Sequence, residues 1–294
     1  MTIPTVLTIA GSDPSGGAGI QGDIKTIFAE DCYGMAAITG LTAQNTKKVS
    51  AVMPVPAEFL RKQIEEILRD IRPDAIKVGM IVTAEQVDII ADLIKHYNLA
   101  NVVIDPVVAP TSGVEFASEE VMRCMVDKLF PLSTIVTPNI PEAEKIYEIL
   151  VGVEDKERRA IQELDQAQNK SQVQVDVHSL SAQALAIFIG RRCGCNVLVK
   201  GGHSFGNEAT DYMWSSRDEQ RVGCISEFKG QKVETTSSHG TGCALSSSIA
   251  ANLAKGYALE QALHRGKQYV TAALTSDMHI GTGNGSVDHS ALIR

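Results

Sequence analysis

Apolar and polar positions along this chain alternate between two periods. Short apolar runs of strand length occur at 5–11 ("TVLTIAG"), 35–41 ("MAAITGL"), 74–79 ("DAIKVG"), 101–105 ("NVVID") and 133–138 ("STIVTP"). Between them, apolar residues recur at helical spacing near 19–31, from Pro56 to Ile71, from Thr83, after Ser118 and after Pro141. In the 56–71 segment, Leu60, Ile64, Ile67, Leu68 and Ile71 form one stripe opposite Arg61, Lys62, Glu65 and Glu66, as an amphipathic helix requires. "TAEQ" at 83–86 has the form of a capping box. Short buried strands alternating with such helices predict βαβ units and a mostly parallel sheet covered on both faces.

Residues 151–180 break this rhythm. Their stretch "EDKERRAIQELDQAQNKSQVQ" is polar, glutamine-rich and without aromatics, which predicts an inserted surface helix or loop rather than core. The alternation then resumes with a helix near 181–192 and a strand at 196–202 ("NVLVKGG"). Two β-ribbons are expected around 209–236, then helices over Cys243–Lys255 and near 258–275. No internal repeat is visible.

Composition narrows the function classes. The 294 residues are 44% hydrophobic and 21% charged, ordinary globular values that allow one α/β domain or two small ones. A formal net charge of -8 argues against a nucleic-acid or anionic-membrane partner. The first residues carry no basic region and their apolar run breaks at Gly11, so neither a signal peptide nor a spanning helix is expected. Cysteines at 32, 124, 193, 195, 224 and 243 form no C-x-x-C pair. Reduced thiols and a cytoplasmic location are the expectation.

In open α/β sheets, ligands collect at the carboxyl ends of strands. Here those ends carry "GSDPSGGAG" (11–19), "DPV" (105–107), "TPNIPEAE" (137–144), "KGGH" (200–203) and "HGTGC" (239–243). The last turn precedes a small-residue helix, so unpaired backbone N–H groups and the positive end of the helix dipole converge there. Gly240 and Gly242 let an anion approach the backbone; the simpler alternative is a glycine-rich connector with Cys243 as a small core residue. "GAGIQG" at 17–22 matches a dinucleotide fingerprint in letters, but its glycines lie far from the strand and no acidic residue ends the next one. "GSDPSGGA" lacks the lysine of a Walker A loop. Asp105 and Glu142, with Asn139 beside them, are candidate magnesium carboxylates, since magnesium is usually held by one or two carboxylates plus substrate phosphates. Asn139 and Glu142 could instead simply cap a helix. Lys200 could neutralise a phosphate or be a solvated charge.

Taken in order, "LTIAGSDPSGGAGIQGDIKTI", "LTAQNT", "IKVGM", "IDPV", "TPNIPEAE", "VLVKGGH" and "HGTGCALSSSIAANLAKG" resemble the hydroxymethylpyrimidine/phosphomethylpyrimidine kinases of the ribokinase-like superfamily. The resemblance spans nearly the whole chain and omits only 151–180. It implies one α/β domain over 1–294 with a small β edge ribbon or lid, often dimeric. The implied reaction is ATP-dependent phosphorylation of 4-amino-5-hydroxymethyl-2-methylpyrimidine and then of its monophosphate, for thiamine biosynthesis. Carried over by residue, it assigns the pyrimidine pocket to Gly11, Asp23, Gln44, Met80 and Val107. Asn139 and Glu142 take the magnesium–phosphate role, Lys200 the nucleotide side, and Gly240, Thr241, Gly242 and Cys243 the anion hole. Many ribokinase-like sugar kinases end this turn with a general-base aspartate, where this family has cysteine. A thiol at a helix N-terminus is expected to have a lowered pKa. Thr111 stands where many members have lysine, and Gly22 and Gly40 where alanine is usual. The rival readings are a pyridoxal kinase of the same superfamily and a catalytically silent pyrimidine-binding regulator; "LTAQNT" favours the pyrimidine, and Asn139, Glu142, Lys200 and Cys243 together favour catalysis.

Overall fold

A computed structural model describes residues 3–108, 116–164, 180–201, 209–216, 223–230, 233, 235–276 and 278–293, of 153–164 the backbone alone. Thr111 and the 165–179 part of the polar insertion lie outside the described residues. The chain runs β1 (Thr5–Ser12), α1 (Gly19–Ala29), β2 (Tyr33–Gln44), β3 (Val49–Pro54), α2 (Ala57–Asp70), β4 (Ala75–Val78), α3 (Ala84–His96), β5 (Val102–Ile104) and α4 (Glu119–Cys124). It continues with β6 (Ile135–Val136), α5 (Ile140–Leu164), α6 (Ala182–Cys193), β7 (Asn196–Val199), β8 (Asp211–Ser216), β9 (Gly223–Phe228), α7 (Thr241–Ala254) and α8 (Leu259–Thr275).

Among the described residues the strands form one nine-stranded sheet in the order β3-β2-β1-β4-β5-β6-β7-β8-β9. The strands from β2 to β7 pair in parallel, while β3 at one edge and the β8–β9 hairpin at the other run antiparallel. This is the mostly parallel α/β architecture expected, with the edge ribbon in place. Alternate strand residues serve opposite faces. Leu7, Ile9, Ile76, Val78, Ile104 and Val136 join the apolar layer that holds α2, α3 and α6. Val6, Ala75, Val103, Ile135 and Leu198 join the layer of α7 and α8. The chain departs from β1 toward β2 on one side and returns through β4 on the other, so β1 and β4 flank a topological switch point. Loops diverge there and leave a crevice at the strands' carboxyl ends.

Local signals hold where the sequence is most regular. Thr83 Oγ1 accepts from Gln86 N–H, and the Gln86 side chain accepts in return from Thr83 N–H, closing the expected capping box. Gln86 Nε2 then donates to Thr39 O and Val55 O, 2.7 Å each, and so ties α3 to the edge of the sheet. The structure adds to or changes that reading at three places. β3 has no counterpart in the apolar pattern, because an edge strand with mostly exposed positions needs no apolar face. Among the described residues of 209–236, the two expected ribbons are one antiparallel pair, β8 and β9, that extends the main sheet. The 151–180 region begins as a continuation of α5, which runs to Leu164.

Trp214 of β8 is 1% exposed and anchors α6 to the hairpin. A Cβ on Gly190 would lie 2.1 Å from its Cε3, so helix and ring meet at a separation that only glycine permits. Gly190→Ala is therefore expected to destabilise the protein by about 1–3 kcal/mol, the usual scale for overpacking. Urea unfolding followed by Trp214 fluorescence would measure this, and an unshifted midpoint would contradict the packing described.

Candidate active site

Two backbone turns build the rim. The loop after β1 and the turn before α7 touch directly: Gly240 has φ 87°, and a Cβ there would lie 1.9 Å from Gly17 O. Both the left-handed conformation and the contact require glycine. The first turn of α7 thereby opens onto a cavity of about 500 Å3 at the carboxyl ends of the parallel strands. Gly11, Gln44, Met80, Val107, Asp105, Asn139, Glu142, Lys200, Gly240, Thr241, Gly242 and Cys243 all line it. The structure thus brings together every site residue expected from the sequence except Asp23.

Asp23 is fully buried and does not reach the cavity. Its carboxylate accepts from Lys77 Nζ through both oxygens at 2.9 Å, from Thr8 Oγ1 at 2.6 Å and from Ser247 Oγ at 2.8 Å. With these donors satisfied by one group, Asp23 supports the cavity floor, and the assignment to the pyrimidine pocket is corrected on this point. Lys77 is the part of this pair that lines the cavity. Burial alone would lower its pKa, but the Asp23 carboxylate outweighs this and keeps the ammonium charged.

Lys200 interacts with both carboxylates expected at the magnesium site. Lys200 Nζ donates to Asp105 Oδ1 at 2.8 Å. Burial alone would raise the Asp105 pKa; Lys200 and then Lys77 outweigh it and hold the carboxyl below its ordinary range. Glu142 shows the opposite balance, because burial pushes it up to about 7 against the pull of Lys200. Asn139 N–H donates to Glu142 Oε2 at 2.8 Å, and Glu142 N–H donates to Asn139 Oδ1 at 2.9 Å. These residues therefore cap α5 reciprocally while still facing the cavity. Among the described residues no group of three His, Cys, Asp or Glu could hold a metal alone. Two hard carboxylates in a cavity suit magnesium that arrives with phosphates.

Cys243 departs from expectation. Burial pushes its thiol up to about 11, even though the Lys77 ammonium favours the thiolate and Gly19 N–H donates to the sulfur. A helix N-terminus alone does not lower a thiol pKa when the site also removes water from it.

Asp13 and His239 are site residues that the sequence reading passed over. Asp13 Oδ2 lies 2.8 Å from His239 Nε2 and accepts from Ala18 N–H at 2.9 Å, while Oδ1 accepts from Ser15 N–H and Oγ–H. Burial alone would raise the Asp13 pKa; hydrogen bonds from His239 and Ser15 hold it below the usual carboxylate range. His239 in turn lies 3.3 Å from Gln44 Nε2. Lys77 did carry a sequence signal, since a lysine inside the apolar strand "AIKV" demands a buried partner.

Comparison with known proteins agrees with this geometry. The phosphomethylpyrimidine kinase family profile matches residues 13–183 and 174–288. The hydroxymethylpyrimidine/phosphomethylpyrimidine kinase of Bacillus subtilis is 34% identical over 100% of this chain and 97% of its own. The chain spans about half the length of other curated relatives, among them a bifunctional thiamine biosynthesis protein of Geobacter sulfurreducens, 36% identical over 97% of this chain and 52% of that protein. Among solved structures, Staphylococcus aureus pyridoxal kinase in complex with AMP-PCP and pyridoxal has a TM-score of 0.80 at 28% identity, covering 100% of this chain and 96% of that one. Clostridium difficile phosphomethylpyrimidine kinase has a TM-score of 0.69 at 34% identity, covering 93% and 100%. By profile, by identity along its length and by ribokinase-like architecture, the chain belongs to the phosphomethylpyrimidine kinase family.

Proposed function

We propose that this chain transfers the terminal phosphoryl group of ATP to 4-amino-5-hydroxymethyl-2-methylpyrimidine and then to its monophosphate, in thiamine biosynthesis. One observation carries the reading: a carboxamide, Gln44, and a helix N-terminus, Gly240–Cys243, face the same cavity. The carboxamide offers a donor and an acceptor side by side to a ring nitrogen and its adjacent amino group. The helix N-terminus offers backbone N–H groups to a transferring phosphoryl group. Phosphoryl transfer needs little more than positioning and charge stabilisation. Leu245, Val270 and Leu274 give the cavity an apolar wall suited to the adenine ring. Magnesium, when bound with ATP, supplies neutralisation of phosphate charge. Asp105 and Glu142 are the residues that would hold it, with Asn139 fixing Glu142 in place. Lys200 balances phosphate charge from the sheet side, and Lys77 from the floor. Six cysteines outside any disulfide fit a reducing cytoplasm, and a homodimer follows from the resemblance to the family.

A pyridoxal kinase activity is the alternative, favoured by the structural likeness to the Staphylococcus enzyme. Coupled detection of ADP release separates the two. Turnover of the aminopyrimidine alcohol and its monophosphate is expected; turnover of pyridoxal alone would reverse the assignment, and no turnover of any would return the chain to a silent binding role.

Cys243 is better suited, in the free protein, to shaping the anion site as a neutral thiol than to standing as a preformed thiolate. At pH 7.5 iodoacetamide should modify it slowly, and its rate should climb about tenfold per pH unit toward pH 11, as thiolate reactivity dictates. Peptide mass spectrometry would follow this site among the other cysteines. Fast modification at neutral pH would restore the low-pKa thiolate. Cys243→Ala should still lower kcat, by roughly 100-fold if the sulfur takes the hydroxyl proton in the ternary complex.

Glu142→Gln separates capping from ion binding, because glutamine also serves in a capping box. The variant should need roughly 10-fold or more magnesium for half-maximal activity, on the scale of changes near a metal. The raised pKa means that the folded state resists ionising Glu142, so its charge costs stability as pH rises through about 7. Near pH 8 the variant should therefore melt no lower than the parent. A lower melting point with an unaltered magnesium titration would leave Glu142 as a cap only.

A further inference from the structure

Gln44 is held at both ends, and its partners determine which way round its carboxamide sits. Its Nε2 lies 3.3 Å from His239 Nε2 and its Oε1 lies 3.2 Å from Thr42 Oγ1. His239 Nε2 also lies 2.8 Å from Asp13 Oδ2. An ionised carboxylate only accepts, so that ring nitrogen carries a proton and has no lone pair for an amide N–H. At the other end, the Thr42 hydroxyl spends its one proton on Ser12 O at 3.0 Å and can only accept from the amide. With Nε2 toward His239, donor meets donor and acceptor meets acceptor. Turned through 180°, Nε2 donates to Thr42 Oγ1 while Oε1 takes the longer branch of a three-centre bond from the proton that His239 gives mainly to Asp13, and such networks are what distinguish amide oxygen from nitrogen.

Resting on the aminopyrimidine reading, we infer that the Asp13–His239 pair is a specificity-determining device. It fixes Gln44 with Oε1 toward His239 and Nε2 toward Thr42, and so sets which way the substrate ring is read. One Oε1 lone pair and one Nε2 hydrogen remain for the ligand. The exocyclic amino group then lies on the His239 side, donating to Oε1, and the ring nitrogen lies on the Thr42 side, accepting from Nε2. His239 is itself positioned from two directions. Its backbone N–H donates to Gly285 O and its carbonyl accepts from Val287 N–H, while its ring packs so tightly on Gly17 that a Cβ there would come within 2.6 Å of Cδ2. Asp13 spends its remaining bonds on Ser15 and Ala18, at the turn before α1. His239 acts through Gln44 and is a positioning residue.

The test pairs two alcohols, the 4-aminopyrimidine and its analogue with hydrogen at position 4, with the variants His239→Leu and His239→Gln. Leucine removes the donor, whereas glutamine places an N–H near the old Nε2. His239→Leu should raise KM for the aminopyrimidine about tenfold, one well-placed hydrogen bond's worth, and KM for the 4-H analogue and for ATP by less than about threefold. His239→Gln should recover most of the loss. Calorimetric binding of the aminopyrimidine without nucleotide should follow the same order. If the leucine variant fails to fold, His239→Asn, whose amide stops short of Gln44, carries the same expectation. Equal losses on both alcohols, or a loss confined to kcat, would overturn the positioning role alone. Failure of the parent protein to bind the aminopyrimidine would remove the substrate reading as well.

Discussion

The ion pair between Lys77 and Asp23 is the contact on which the site depends. Neither side chain has any exposure, and a charge so buried is tolerable only when paired and hydrogen-bonded. Lys77 comes from β4, Asp23 from α1, and the further donors Thr8 and Ser247 from β1 and α7. One carboxylate therefore links both strands of the switch point to both helices whose N-termini form the rim. Such a pair adds little net stability over apolar packing, but losing one partner typically costs about 3–5 kcal/mol. Its value is geometric, because it leaves β1, β4, α1 and α7 one arrangement that satisfies the charge.

Above that floor, Lys77 pairs with Asp23 and Lys200 with Asp105, and the titration of Asp105 and Glu142 follows from burial and from these charged neighbours. Asp105 sits beside an ammonium and stays ionised, while Glu142 is buried with weaker compensation and rises toward neutrality. Cys243 lies where backbone dipoles and Lys77 favour negative charge but burial opposes it, and burial prevails. A site of this kind gives an incoming phosphate charge that it would itself help to compensate.

Capping and a place on the cavity wall are compatible for Asn139 and Glu142. The reciprocal bonds between them satisfy backbone groups at the start of α5 and in the same act hold a carboxylate at the cavity wall. The same economy appears in the opening of α7, where Gly240 makes the turn, contacts Gly17 and clears the approach to the helix end.

The sequence by itself determined the alternation of strands and helices, the capping at Thr83, and the glycine turn before α7. These depend on contacts between residues close along the chain, so spacing and residue type suffice to reveal them. It also marked the rim, because parallel strands bring their carboxyl ends to one side whatever the loops contain. Tertiary structure decided what spacing does not encode. β3 became a strand because β2 offered it an edge, and Asp23 left the pocket because Lys77, 54 positions away, claimed both its oxygens. The thiol of Cys243, partly exposed to the cavity, rose because the surrounding protein desolvates its charged form, and His239 joined the site because the fold set it against Asp13, 226 positions distant. Burial and long-range pairing arise only when the layers close, which is why charge states and the partners of Gln44 became legible in three dimensions alone.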